Sequence, residues 1–143
     1  MNFLTSAKSN PQLVDVVLLV IRVFVGFAML SHGFPKLQQL LSGEEINFFD
    51  FLGLGPKISL ILAVFAEFVC SIFLILGLFT RPAVFFLIIT MAVAGLIVHS
   101  GDAFERKETS LLYLSIYLLV MAFGPGIYSI DHLISRRRET SNW

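Results

Sequence analysis

Apolar and polar positions in this chain are segregated into blocks. Four apolar runs, at 13–30, 59–78, 83–98 and 111–123, are each bounded by polar or turn-forming residues. A run near twenty residues, coiled into a helix, matches the hydrocarbon thickness of a bilayer. The pattern predicts helical spans at about 13–31, 58–78, 82–99 and 109–124, with a short polar segment before them and a polar tail at 132–143. Pro11 suits the start of the first helix, and Thr80 and Pro82 suit the cap and first turn of the third. Gly124-Pro125-Gly126 must kink or end the fourth.

The connections are unequal. Residues 31–58 join the first two spans through an aromatic cluster, Phe48, Phe49 and Phe51 with Ile46, Leu52 and Leu54, beside Glu44, Glu45 and Asp50. Too short to cross, this segment reads as an amphipathic piece that lies in the interface or caps the bundle. Residues 77–82 make a tight turn, and 99–110 a polar loop. From the first span into the connection after it, Asp15, Arg22, Met29 and Lys36 recur at seven-residue spacing, with Gly26 and Gly33 beside them. A helix puts these on one face, and its small residues admit a close neighbour. Ala92, Gly95 and His99 form a similar stripe on the third span. The fold class that follows is all-α: an integral membrane four-helix up-down bundle, one domain over 1–143, with an amphipathic outer segment between spans 1 and 2.

Composition agrees. The chain is 57% hydrophobic and 14% charged, with mean hydropathy +0.86, whereas soluble domains carry about a quarter charged residues. A formal net charge of zero argues against nucleic acid as a partner. The single cysteine, Cys70, excludes an internal disulfide and any relay through a cysteine pair. An even number of spans leaves both termini on one side. Lys8, Arg81 and Arg136–Arg138 fall there, against Lys36, Lys57, Arg106 and Lys107 on the other. The arginine triplet close behind the last span predicts a multi-pass protein of the cytoplasmic (inner) membrane with both termini cytoplasmic.

Two charges deep in apolar runs are the first candidates for chemistry. Glu67 lies near the middle of the second run and Arg22 well inside the first. Intramembrane charges face a polar interior or each other. Arg22 is about 13 Å from the start of its span, and Glu67 about 15 Å from the end of its own at Gly77. Antiparallel neighbours would bring the two to one depth, and the expectation is an Arg22–Glu67 pair that moves a proton or binds a ligand headgroup. The plainer alternative is a pair that only fixes helix register.

His32 and His99 end their spans. They stand open to three readings: ligands of a haem or metal, hydrogen bonds to a ligand near the outer surface, or simple helix-end caps. No H-x-x-H spacing supports a metal centre. Lys36, Glu105, Lys107 and Glu108 form the rim of an outer pocket or a solvated surface. Tyr113 and Tyr117 either meet a ring or anchor the interface. Arg81 and Asp131 are expected to clasp the second turn to the end of the fourth helix.

Taken together, these residues resemble the DoxX family of small four-span membrane proteins. The matching pattern is Arg22, His32-Gly33-x-x-Lys36, Leu54-Gly55, Glu67, Gly77-Leu78-x-Thr80-Arg81, His99, Glu108 and Gly124-Pro125-Gly126-x-x-Ser129-x-Asp131, over roughly 15–131. The resemblance implies a redox-associated membrane subunit handling a quinone. In it Glu67 and Arg22 would carry the polar contacts and proton, and His32, Lys36, His99, Tyr113 and Glu108 would line the outer mouth. Electrons would come from a redox partner protein, and a homo-oligomer is a further expected assembly. The rival expectation is a non-enzymatic membrane scaffold or assembly protein whose buried charges are structural.

Overall fold

The first apolar run becomes a helix longer than its pattern predicts. In the computed structural model, which describes residues 9–141, α1 spans Pro11–Leu41, 31 residues or about 46 Å. Asn10 caps it, its side chain accepting from Gln12 N at 3.1 Å. Pro35 sits inside the helix without ending it. Proline removes one backbone donor, a loss that membrane helices tolerate, and Gly33 and Lys36 prolong the face packed on the next helix. The expected connection 31–58 therefore shrinks to an irregular 42–55. Lys8, which entered the orientation argument, lies outside the described residues.

α2 (Pro56–Leu76) and α3 (Thr80–Val98) follow the second and third runs. Then come α4 (Phe104–Phe123) and α5 (Ile130–Ser141), a helix where a polar tail was expected. No strand occurs among the described residues. Among the described residues three helices, α1 to α3, are long and apolar enough to cross a membrane. α4 has 20 residues, but Glu105, Arg106, Lys107 and Glu108 occupy its first turns.

The helices pack in chain order, α1 on α2, α2 on α3 and α3 on α4. The core joins Val25 and Met29 of α1, Cys70 and Leu74 of α2, Val84, Leu87 and Met91 of α3, and Tyr117 and Val120 of α4. Around this core the surface is inverted relative to a soluble protein. Phe24, Phe27, Phe85, Leu96, Leu118, Leu119 and Phe123 all stand exposed, as lipid-facing side chains do.

Close approach of α1 and α2 sets their register. A Cβ at Gly33 would come 2.8 Å from the backbone C and O of Glu67. At Gly77, whose φ is +67°, a Cβ would collide with Arg22 Nη1. Gly33 is thus level with Glu67, and Arg22 with the α2–α3 turn.

Candidate functional site

α2 and α3 each open into one π turn, at Phe65–Cys70 and Val93–Val98. A π turn inserts an extra residue into the helical ladder and often marks a functional site. Both turns border the same cavity, of about 550 Å³, a size ordinary for small-molecule sites. Phe65, Ala66 and Glu67 come from one turn, Val93, Ala94 and Val98 from the other, with Phe86, Ile89 and Thr90 deeper along α3. The irregular segment 42–55 supplies Phe48, Phe49 and Phe51. It is pinned there by Ser59, whose hydroxyl accepts from Phe51 N at 2.8 Å and donates to Gly55 O at 2.8 Å. Asp50 accepts from Gly55 N at 2.9 Å.

One ion pair lies in this apolar cavity. Lys36 Nζ stands 2.6 Å from both Glu67 Oε1 and Oε2. The Glu67 side chain is 4% exposed and that of Lys36 30%. The Lys36 ammonium also sits over the Phe48 ring, 5.7 Å from its centroid, a cation–π contact. Lys36 thereby ties the capping segment to the carboxylate. In a medium of low dielectric this pair is a strong local field: the ammonium can polarise a ligand oxygen and the carboxylate can hold or release a proton.

His99 completes the polar lining at the end of α3. Its Nδ1 is 2.7 Å from Asp102 Oδ2, and Arg106 Nη1 lies 3.9 Å from the same oxygen. The bond from His99, ahead of the Arg106 charge, holds the Asp102 carboxyl below its usual range. With Nδ1 committed to Asp102, His99 keeps Nε2 free for a ligand or water.

The expected Arg22–Glu67 pair does not form. Arg22 is fully buried and its Nη2 donates to Tyr128 O at 2.6 Å, in the segment joining α4 to α5. Eleven residues, or about 16 Å of helix, separate Arg22 from Gly33, the residue that meets Glu67. α1 runs about three turns past Ser31, and it is this added length, with Gly33 against the Glu67 backbone, that makes Lys36 the carboxylate's partner. Arg22 belongs instead to a latch at the opposite end. Asp15 Oδ1 accepts from Ile127 N at 3.1 Å. Asp131 accepts from Phe79 N and Thr80 N at 2.8 and 2.9 Å. Asp131 thus clasps the turn, as expected, but through backbone donors and not through Arg81. It also caps α3 in place of Thr80, whose hydroxyl is buried without a partner. The clasp holds Phe79 at φ +47°.

Of the other candidates, Lys36 and His99 line the cavity and His32, Tyr113 and Glu108 do not. His32 meets Tyr113 edge-on at 5.9 Å, and Tyr113 stacks on Tyr117 at 6.0 Å. Glu108 is exposed. Tyr117 is fully buried with its hydroxyl unpartnered. Among the described residues no cluster of side chains suits a metal ion. Ser59, Thr90 and Phe86 are lining residues that the sequence pattern did not single out, because each has the spacing of an ordinary helix residue.

Comparison with known proteins bears on this arrangement. A family model, DoxX, matches residues 17–100, which include Arg22, Lys36, Glu67 and His99. The inner membrane protein YphA of Escherichia coli is 32% identical over 128 residues, covering 81% of this chain and 89% of that protein. The inner membrane protein YqjF of the same organism is 25% identical over 132 residues, covering 88% of this chain and 98% of that protein. No solved structure matches the chain. Multi-pass and apolar-faced, with a family match over more than half its length, the chain belongs to the DoxX family of membrane proteins.

Proposed function

We propose that the cavity between α2, α3 and segment 42–55 binds a small hydrophobic ligand with acceptor oxygens on a ring, a quinone, and that the chain is the quinone-associated membrane subunit of an oxidoreductase. The observation that carries this reading is the Lys36–Glu67 pair set in an aromatic-lined cavity of about 550 Å³. The lining fits such a group: Phe48, Phe51, Phe65 and Phe86 offer ring faces, Lys36 a donor and His99 a second polar contact. A bound quinone supplies two-electron, two-proton chemistry. Lys36 would orient a ring oxygen, Glu67 would hold a proton at its carboxylate, and segment 42–55 would keep water out. Electrons would arrive from a partner protein, since one cysteine and no dinucleotide fingerprint leave the chain no carrier of its own. In this reading α4 is the fourth span, and both termini are cytoplasmic.

Purified protein titrated with decyl-ubiquinone tests the proposal. Binding is expected, with Glu67→Gln weakening it roughly tenfold, because the carboxylate that orients the Lys36 donor is lost. No binding by the unaltered protein would overturn the reading; unchanged binding by Glu67→Gln would remove Glu67 from the site. The placement of Arg22 favours one other reading, a scaffold. Its bond to Tyr128 O ties α1 to the segment between α4 and α5, a contact that supports a packing role for this buried charge, and a scaffold would retain no quinone on purification.

A further inference from the structure

The last helix has no place in the bundle. α5 is 12 residues long and buries none of them, yet its start is fixed. Asp131 N donates to Gly77 O at 2.8 Å, while the Asp131 carboxylate takes the Phe79 and Thr80 amides. That turn joins α2 to α3, both long and apolar enough to cross a membrane, so it marks the boundary of the bilayer. α5 therefore leaves the bundle at headgroup level. At about 18 Å it is too short to span, and it is too charged to enter the hydrocarbon.

Its residues are ordered for a surface. Helical spacing gathers Ile130, Leu133 and Ile134 on one face, and Leu133 is 58% and Ile134 39% exposed. The following turn carries Arg136, Arg137 and Arg138, opposed by Glu139 alone. We propose that α5 docks along the bilayer surface, with Leu133 and Ile134 at the acyl boundary and the arginines on the phosphates of anionic phospholipids. The charge complementarity selects the occupant. Arginine side chains close to an anionic surface add to each other, and an apolar face beside them provides the second anchor such binding needs. The inference is independent of any ligand in the cavity.

Hydrogen exchange on the full chain tests it, in nanodiscs of phosphatidylcholine alone and of phosphatidylcholine mixed with phosphatidylglycerol. Three arginines shift the partition of the helix on the order of a hundredfold on an anionic surface. Amides of 134–141 should accordingly gain at least about tenfold protection in the mixed discs, and lose it at high salt. The variant Arg136→Gln/Arg137→Gln/Arg138→Gln should melt like the unaltered protein, because the arginines are exposed, and show no such gain. Equal exchange in the two discs would overturn the proposal. So would protection that survives in the triple variant, which would place α5 on a protein surface.

Discussion

At the residue scale, Glu67 depends on Lys36. Each single change strands the other charge, so Lys36→Met and Glu67→Gln should each lower stability by about 2–3 kcal/mol, less than for a fully buried pair because Lys36 reaches the surface. The double variant Lys36→Met/Glu67→Gln should recover much of the loss. Thermal unfolding in detergent, arranged as a double-mutant cycle, measures this, and additive losses would show that the two side chains act separately. Arg22 behaves differently. Lysine in its place keeps a buried charge but lacks the planar fork that reaches Tyr128 O. Arg22→Lys should therefore lower stability by about 1–3 kcal/mol, read as a fall in melting temperature, while, under the quinone proposal, ligand affinity of the folded protein stays within about twofold, since Arg22 does not line the cavity. A larger loss of affinity would return Arg22 to the site.

At the element scale, the contact between α1 and α2 rests on the absence of a side chain at Gly33. Alanine there would push its Cβ into the Glu67 backbone, a group that cannot swing aside. Gly33→Ala should destabilise by about 1–3 kcal/mol and should also disturb the Lys36–Glu67 pair one turn on. Melting temperature and ligand affinity should fall together, whereas Arg22→Lys moves only the first. The small-residue stripe of α1 was legible from spacing. The π turns that aim Glu67 and Val98 at one cavity were not, because an inserted residue in a ladder has no local sequence signature.

For the whole molecule, the apolar runs by themselves determined that the chain is helical, membrane-bound and multi-pass, because a bilayer leaves a backbone few other ways to satisfy its polar groups. They also located the rare charges, since any charge in such a run stands out. Which charges meet was decided only by the tertiary structure. Pairing depends on helix register, and register follows from where α1 ends and from two glycine contacts, neither of which the local pattern specifies. The same holds for Asp131, whose role as a cap on α3 spans 51 residues of chain. Long-range contacts of this kind are set by packing, so the pattern could name Glu67, Lys36 and His99 as candidates, but only the folded bundle brought those three to one cavity and sent Arg22 to the other end.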